Sequence, residues 1–367
     1  MHIRTFACKH FRNLEQVSIE PHARFNIFEG RNGQGKTNLL EAIGLLGSFK
    51  SFRDAKNSQL VQFGQSRCEI TARVERKDVL REISIETEGK GKRVRIDGKT
   101  LTKRSEYLGH VSIVFFGPDH LSLTKEGPSN RRRFLDRAVF NLWPAYFEES
   151  RRYQVALKSR NKLLKDAHGS GLDKDVMSSF DDEFIRSGSR LIWRRKSFLK
   201  LYKELFSTSL AQLSSSELVG DLSYGAGDEF TSVSTESDIQ EAFKEALSRA
   251  WKSDTHRRYS TVGPHTHDLV CMLNGKSTRA FASQGQHRAF VLALKVAQIQ
   301  LIHHQLGFFP ILLLDDVSSE LDKGRNEDLM SYLNTSGAQI FITTTDKRWI
   351  QLGDNQRVFD VSGGVVS

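Results

Sequence analysis

The chain has 367 residues, of which 38% are hydrophobic and 27% are charged, a composition typical of a folded globular protein with room for more than one domain. Its apolar runs fall far short of the roughly 20 residues that a membrane helix needs, and the N-terminus has no apolar signal-peptide core, so we expect a cytoplasmic protein with no membrane partner. The net charge of +10 indicates a polyanionic partner, and the three cysteines match neither a metal-ligand spacing nor a disulfide framework.

The N-terminal third predicts short strands around one glycine-rich turn and one helix. Residues 24–30, "RFNIFEG", alternate as a strand that ends at Gly30, and residues 37–47 carry apolar side chains at helical spacing. Residues 67–115 contain four alternating segments with turn residues between them. They predict an antiparallel sheet, which includes the segment "VSIVFF" at 111–116.

The glycine-rich turn predicts a phosphate site. "GRNGQGKT", from Gly30 to Thr37, fits the pattern G-x-x-x-x-G-K-[ST] and lies between a predicted strand and a predicted helix. The glycines let backbone N–H groups face the phosphates, Lys36 supplies positive charge to the β- and γ-phosphates, and Thr37 can bind Mg²⁺. We therefore expect an ATP site, with Lys36 also a candidate catalytic residue. The candidate nucleotide-binding residues are Gly30, Arg31, Asn32, Gly33, Gln34, Gly35, Lys36, Thr37 and Asn38.

The middle of the chain has a different pattern from its two ends. From Ser129 the segments become long and helical in period, and from Thr261 strands and helices alternate again. This predicts an α/β ATPase domain formed by residues 1–128 and 261–367, with a mostly helical lobe at 129–260 inserted into it.

The inserted lobe is basic. Between Arg131 and Lys203 the sequence has 18 Lys and Arg against 9 Asp and Glu, a net charge of +9. A localised basic excess is typical of a nucleic-acid partner, and a solvated helical face is the simpler alternative. We expect this lobe to contact DNA and to help close a dimer. The candidate DNA-binding residues are Arg190, Arg194, Arg195 and Lys200.

An acidic strand end follows near the C-terminus. "ILLLDD", residues 311–316, predicts a buried strand that ends in two carboxylates. We expect this strand to pack beside the strand that precedes the P-loop, so that Asp315 and Thr37 hold Mg²⁺. Asp316 is one residue further on, where it can orient or deprotonate the attacking water, and it is the second candidate catalytic residue.

A small polar cluster opens the helix at "SQGQHRAF", residues 283–290, and predicts a second anion site. The order of a P-loop, this cluster and an acidic strand resembles the ABC-type ATPases. That resemblance implies that Ser283, Gly285 and Gln286 bind the γ-phosphate held by a second subunit, with residues 318–323 at the seam of an ATP-dependent homodimer. Because the insert has no sustained heptads, the predicted fold class is α/β, an ABC/SMC-type P-loop ATPase head with an inserted helical lobe and no long coiled coil.

The whole chain resembles the RecF family of recombination-repair ATPases. Besides the motifs above, the resemblance rests on "FRNLEQ" at 11–16, "SFR" at 51–53, "GPSNRRRFLDR" at 127–137 and "GPHTHDL" at 263–269. It implies a weak, DNA-stimulated ATPase that uses ATP and Mg²⁺, dimerises on ATP and binds double-stranded DNA near single-strand gaps. It also implies RecR as a partner, with RecO and RecA, in DNA repair, replication, recombination and the SOS response.

Several positions depart from that family's pattern, and they predict slow hydrolysis. The departing positions are Gln284 in the signature, Thr266 and His267 in the 263–269 segment, Thr344 or Thr345 in place of a switch histidine, and the segment 115–121, which has no γ-phosphate-sensing glutamine.

Three other functions compete with this interpretation. A RecF-like ATPase that regulates a partner effector, such as a nuclease or a defence component, would carry the same motifs. A transporter ATPase disagrees with the 249 residues that separate Lys36 from Gly285 and with the basic insert. A nucleotide kinase would have no use for the cluster at 283–286.

Overall fold

The structure is a computed structural model, and it forms two compact units, which are described separately. The described residues are 1–48, 50–89, 91–118, 120, 123–166, 174–214, 218–316, 323–346 and 355–367. The first unit comprises Met1–Ser122, Thr208–Glu217 and Gln284–Ser367, and the second comprises Leu123–Ser207 and Leu218–Ser283.

The first unit contains the predicted antiparallel sheet. Its strand order is β2-β1-β4-β5-β6-β7. Alternate residues of the central strand, such as Ile70, Ala72 and Val74, are buried while their neighbours are more exposed, as expected for a sheet with one face on the core. The strands are β1 His2–Phe11, β2 Leu14–Ile19, β4 Arg67–Arg76, β5 Val79–Glu88, β6 Gly91–Ile96 and β7 Lys99–Thr100.

A second sheet of the first unit is mainly parallel and has the order β15-β14-β3-β13-β12-β8. Its strands β14, β3, β13, β12 and β8 run parallel to one another, so their carboxyl ends meet at one edge, and β15 pairs antiparallel with β14. The strands are β3 Phe25–Glu29, β8 Ile113–Phe116, β12 Ile311–Asp315, β13 Ile340–Thr344, β14 Gln356–Ser362 and β15 Val365–Val366.

Two expectations about this sheet are wrong. The acidic strand β12 does not lie beside the P-loop strand β3, because β13 lies between them and pairs with both. The strand at 113–116 is not part of the antiparallel sheet; it pairs with β12 as an edge of the parallel sheet. The physical reason is that β12 and β13 are buried on both faces, which suits the centre of a parallel sheet.

Helices complete the core of the first unit. The helix α8 buries fourteen of its residues, so it lies inside the unit rather than on its surface. The helices of this unit are α1 Lys36–Ser48, α2 Arg104–Tyr107, α8 Gln284–Leu306 and α9 Lys323–Thr335, with a 3₁₀ turn at Asn57–Gln59. In the part of the chain that the structure describes, no helix combines the length and the apolar content that crossing a bilayer requires.

The second unit is mostly helical, as predicted, and it also contains a small antiparallel sheet of order β11-β10-β9. Helix α5 extends beyond this unit, since its residues from Thr208 onward belong to the first. The helices are α3 Pro128–Leu142, α4 Tyr146–Asp166, α5 Lys174–Leu213, α6 Glu236–Arg257 and α7 Thr278–Phe281, with a 3₁₀ turn at Asp228–Phe230. The strands are β9 Gly220–Gly225, β10 Asp268–Leu273 and β11 Lys276–Ser277.

The compact units differ from the predicted domain boundary at Thr261. Residues 261–283 lie with the helical unit, because β10 pairs along its whole length with β9. An ion pair strengthens this connection: Arg131 Nη2 lies 2.6 Å from Asp268 Oδ2, and Arg131 Nε lies 3.0 Å from Asp268 Oδ1. The strands that follow Thr261, β10 and β11, therefore belong to the second unit.

Two segments singled out by the resemblance, 127–137 and 263–269, meet in the core of the second unit. Arg132 donates a hydrogen bond to the backbone oxygen of His267 at 2.9 Å. The imidazole of His267 is buried, and its Nδ1 lies 2.9 Å from the hydroxyl of Tyr224. Burial lowers the pKa of His267 to about 3, and the Arg195 guanidinium adds to the effect.

His267 should make the stability of the protein depend on pH. The native imidazole stays neutral while the unfolded one is protonated below its ordinary pKa of 6.5, so the unfolded state binds more protons as pH falls from 6.5 towards 3. From pH 7 to pH 5 this single group should remove about 2 kcal/mol from the free energy of unfolding. His267→Asn should lose less stability over that interval, as measured by urea unfolding at each pH, with pH 8 as the reference. Equal losses in both proteins would contradict the assignment.

Candidate nucleotide-binding site

The P-loop connects the end of β3 to the first residue of α1, as predicted. Gly33 and Gly35 have φ angles of 80° and 117°, a region that glycine adopts without the steric cost that other residues have. The Lys36 ammonium donates to the backbone oxygens of Gly30 at 2.5 Å and Arg31 at 2.9 Å. It therefore lies over the loop in which phosphates would bind. Burial lowers the pKa of Lys36, and the nearby carboxylates of Asp316 and Asp315 oppose that shift.

The two predicted Mg²⁺ residues are in direct contact. The hydroxyl of Thr37 donates to Asp315 Oδ1 at 2.9 Å. A second hydroxyl, that of Thr343 on β13, donates to the same oxygen at 2.8 Å. Although β12 is not adjacent to β3, the parallel register of β3, β13 and β12 brings Thr37 and Asp315 together at one edge of the sheet.

These residues fit a magnesium ion bound with phosphates. Mg²⁺ in nucleotide sites is held by one or two protein oxygens, substrate phosphates and waters. No cluster of three or more His, Cys, Asp or Glu able to hold a metal occurs among the described residues. Asp315 is 8% exposed. Burial raises the pKa of Asp315, while the hydroxyls of Thr343 and Thr37 lower it and so favour the carboxylate.

Asp316 directly follows β12 and has a left-handed backbone, with φ of 48°. Its N–H donates to the hydroxyl of Thr343 at 2.9 Å. Thr343 was not among the predicted site residues, yet it bonds to both acidic residues. The sequence pattern of β13 does not indicate these contacts of Thr343, because threonine is common in strands.

The C-terminal hairpin β14–β15 supports the P-loop, a feature that the motif alone does not contain. The backbone N–H of Gly363 donates to Gln34 Oε1 at 2.7 Å, and that of Gly364 donates to the backbone oxygen of Gln34 at 3.0 Å. The Asn13 side chain donates to the same Gln34 oxygen at 3.2 Å. A side chain at Gly30 would lie 2.2 Å from the backbone oxygen of Val361 in β14, so the loop packs tightly on the hairpin strand.

The segments at 11–16 and 51–53 converge on the first turns of α1. Arg12 donates two hydrogen bonds of 2.9 Å to the fully buried carboxylate of Glu41, and the hydroxyl of Ser51 donates to the same group. Asn38, a predicted nucleotide-binding residue, donates to Asn13 Oδ1 at 2.7 Å and accepts from Arg53 at 3.1 Å. Both segments therefore hold the helix that the P-loop opens.

The predicted signature lies at a helix start. Helix α8 begins at Gln284, so Gly285 and Gln286 lie in its first turn and Ser283 is the residue before it. Of the predicted subunit seam at 318–323, residues 318–322 lie outside the described residues.

The end of β13 has Thr344, followed by Thr345, where the family's switch histidine is expected. Thr344 hydrogen-bonds locally instead: its hydroxyl donates to the backbone oxygen of Asp346 at 3.0 Å and accepts from the N–H of Asp346 at 3.1 Å. Thr345, the next residue, is exposed.

The prediction is wrong for one of the four candidate DNA-binding residues, Arg195. Arg195 is 4% exposed and bonds to Asp136, Tyr146, Tyr224 and the backbone oxygen of Pro264, at 2.6 to 3.2 Å. Its guanidinium is thus a core group of the second unit and is not available to DNA. Removing one partner of such a buried pair costs about 3–5 kcal/mol, so the residue is structural.

The other three predicted DNA-binding residues lie closer to solvent. Arg194 donates two hydrogen bonds to Glu149, at 3.1 and 3.2 Å, and lies over the rings of Trp143 and Trp193. Arg190 also pairs with Glu149, at 3.2 Å, and its side chain is 50% exposed. Lys200 is exposed.

The comparisons with known proteins agree with this architecture. The family described as the RecF/RecN/SMC N terminal domain matches residues 2–366. The DNA replication and repair protein RecF of Myxococcus xanthus (strain DK1622) is 40% identical over 370 residues, covering 97% of this chain and 94% of that protein. The protein of the same name from Geotalea uraniireducens (strain Rf4) is 40% identical over 358 residues, covering 97% of each.

Solved structures give the same result. The structure of the recombination mediator protein RecF-ATPrS in the RecFOR pathway matches with a TM-score of 0.91 and 32% identity, over 100% of this chain and 97% of that one. The SmcHead bound to the C-winged helix domain of ScpA matches with a TM-score of 0.56 and 17% identity. At this identity the similarity supports the fold alone. The fold and site define an ABC/SMC-type P-loop ATPase head without a long coiled coil, and this confirms the predicted fold class. The chain belongs to the RecF family.

Support of the P-loop by the hairpin should be measurable as nucleotide affinity. At Gly364, where φ is 85°, a Cβ atom would lie 2.2 Å from the backbone oxygen of Asn13, so Gly364→Ala must shift the hairpin away from Gln34. We expect ATP to bind about tenfold more weakly, the equivalent of ~1.4 kcal/mol, as measured by isothermal titration calorimetry. Gly98→Ala is the matched control, because Gly98 has φ of 77° and an added Cβ atom there would have no neighbouring atom within 4 Å. Equal affinities in the two variants would refute the supporting role.

Proposed function

We propose that the protein is an ATPase of DNA replication and repair that uses ATP to close a homodimer on DNA. The observation that carries this proposal is the contact of Thr37 with Asp315 beside the P-loop lysine, in a chain 40% identical to DNA replication and repair proteins over nearly its whole length. One solved structure similar to this chain is that of the recombination mediator protein RecF-ATPrS in the RecFOR pathway.

The residues of the site divide the work of hydrolysis. Lys36 and the backbone N–H groups of the loop bind the phosphates, and Lys36 exchanges its bonds to the loop carbonyls for bonds to phosphate oxygens. Thr37 and Asp315 would hold an Mg²⁺ ion, which would supply positive charge to neutralise the charge that develops on the phosphates. Asp316 orients and deprotonates the attacking water. Since Thr344 and Thr345 take the place of a switch histidine and Thr344 bonds locally, we expect slow turnover.

Dimerisation provides the switch. Ser283, Gly285 and Gln286 precede or occupy the first turn of α8, where backbone N–H groups and the helix dipole favour an anion. If these residues bind the γ-phosphate held by a second subunit, ATP has a higher affinity for the dimer than for the monomer, and hydrolysis removes that preference. The expected partners are double-stranded DNA near single-strand gaps and RecR, with RecO and RecA, in the cytoplasm.

We revise the proposed DNA-contacting surface in view of where the predicted cations lie. Because Arg195 is internal, the predicted cations of α5 that are exposed are Arg190 and Lys200, and helix α4 adds further exposed cations. Lys158, Lys162 and Lys165 of α4 are exposed and are spaced four and three residues apart, so they share one face of that helix. We propose that this α4 face binds phosphates alongside Lys200.

The dimer proposal is tested at Ser283. In an Asp316→Asn background, which slows hydrolysis, ATP should convert the monomer to a dimer in sedimentation velocity. Adding Ser283→Arg should keep ATP binding and abolish the dimer, because the larger side chain blocks the partner's γ-phosphate. Ser66→Arg, at an exposed serine before β4, is the matched control and should dimerise. Normal dimerisation of the Ser283 variant would exclude binding in trans at this signature.

The DNA proposal is tested by salt dependence. Each phosphate contact contributes about −0.9 to the slope of log affinity against log salt. The double variant Lys158→Ala and Lys162→Ala should therefore flatten the slope by about two units and weaken binding to all sequences alike. Lys99→Ala, at an exposed lysine of β7 in the first unit, removes a charge elsewhere and should leave the slope unchanged. A slope that the α4 variant does not alter would place DNA on another surface.

A further inference from the structure

The hydroxyl of Thr343 connects the two acidic residues of the site. It donates its proton to Asp315 Oδ1 at 2.8 Å and accepts the Asp316 N–H at 2.9 Å. Since a hydroxyl has one proton to donate, these two bonds are mutually compatible. Thr343 lies directly opposite Asp315 in the parallel pairing of β13 with β12, so the contact follows from the register of the central strands.

We propose that Thr343 is a positioning residue of the ATPase site, whose hydroxyl sets the orientation of the Asp315 carboxylate and the backbone of Asp316 together. This inference rests on the proposed function, because it assumes that Asp315 holds Mg²⁺ and that Asp316 acts on water. Thr343 itself contacts neither nucleotide nor water in this proposal. It acts through the two aspartates.

The orientation of Asp315 depends on which of its oxygens is engaged. Both Thr37 and Thr343 donate to Oδ1. Among the described residues, the hydrogen bonds to the Asp315 carboxylate go to Oδ1. This leaves Oδ2 to bind the metal or its waters. With Thr37 alone, the carboxylate could rotate about its χ2 torsion, which is broad for this side chain. The second hydroxyl, presented from the neighbouring strand, removes that freedom.

The orientation of Asp316 depends on its backbone. Its φ of 48° is a region that non-glycine residues rarely adopt unless surrounding contacts hold them there. The bond from the Asp316 N–H to Thr343 is such a contact. It fixes the turn at the point where the chain leaves β12. The direction of the Asp316 side chain follows from this turn.

Packing alone does not explain a hydroxyl at this position. Thr343 is buried, with 1% of its surface exposed, and the strand around it, "IFITT", is otherwise apolar up to its end. A buried hydroxyl is costly unless it is hydrogen-bonded. Valine has the same shape and would suit the interior, so the hydroxyl has to be explained by its two bonds.

The test is the Mg²⁺ dependence of ATP binding and turnover in Thr343→Val. Loss of a residue that orients a metal ligand typically costs 10–100-fold in metal affinity or activity. We therefore expect the Mg²⁺ concentration that gives half-maximal binding of a fluorescent ATP analogue to rise about tenfold and kcat to fall about 10–100-fold. Analogue binding without Mg²⁺, and KM, should stay within about twofold, because the P-loop is unchanged.

Thr343→Ser restores the hydroxyl without the methyl group and should recover most of the Mg²⁺ affinity and turnover. Thr87→Val is the matched control, since Thr87 is a buried strand threonine in the antiparallel sheet that bonds to Cys68; it should keep wild-type Mg²⁺ dependence. A Thr343→Val protein with wild-type Mg²⁺ dependence and kcat, or a serine variant as impaired as the valine one, would overturn the inference. Wild-type protein that binds no ATP analogue with or without Mg²⁺ would instead refute the proposed function.

Discussion

The site depends on one buried carboxylate and on the strand order that brings two hydroxyls to it. Asp315 is almost fully withdrawn from water, which raises its pKa and disfavours its charge. The bonds from Thr37 and Thr343 compensate for that cost, and both require β13 to lie between β3 and β12. Because side chains alternate across a strand, a slip of one residue in β13 would turn its hydroxyl away from Asp315. The parallel register is therefore a constraint on the chemistry as well as on the fold.

The P-loop is held by segments from distant parts of the chain. The β14–β15 hairpin bonds to Gln34, the turn between β1 and β2 contributes Asn13, and the buried Glu41 binds α1 to Arg12. Each contact is modest in isolation, but together they fix a loop whose glycines would otherwise permit many conformations. Preorganisation of this kind places the phosphate-binding N–H groups before the ligand arrives.

In the second unit, much of the basic charge serves the interior. Arg131, Arg160 and Arg195 are buried and form ion pairs with Asp268, Asp254 and Asp136 respectively. Fewer cations are therefore available to an external polyanion than a count of the sequence indicates. These buried ion pairs also explain why the segments 127–137 and 263–269 contact each other. Each segment supplies one side of a single buried hydrogen-bond network.

The sequence by itself determined the P-loop, the acidic strand end and the helical character of the insert, because these depend on local spacing that a short window contains. It also brought Thr37 and Asp315 into one hypothesis, since both are named by motifs. The strand order and the contacts of Thr343 and Gly364 were decided by the tertiary structure, because they depend on pairing between residues that are 28 to more than 300 positions apart. The same holds for Arg195, which periodicity places on a helix without saying which face is buried. Whether a charge meets solvent or a partner is set by packing between elements, and local spacing does not report that.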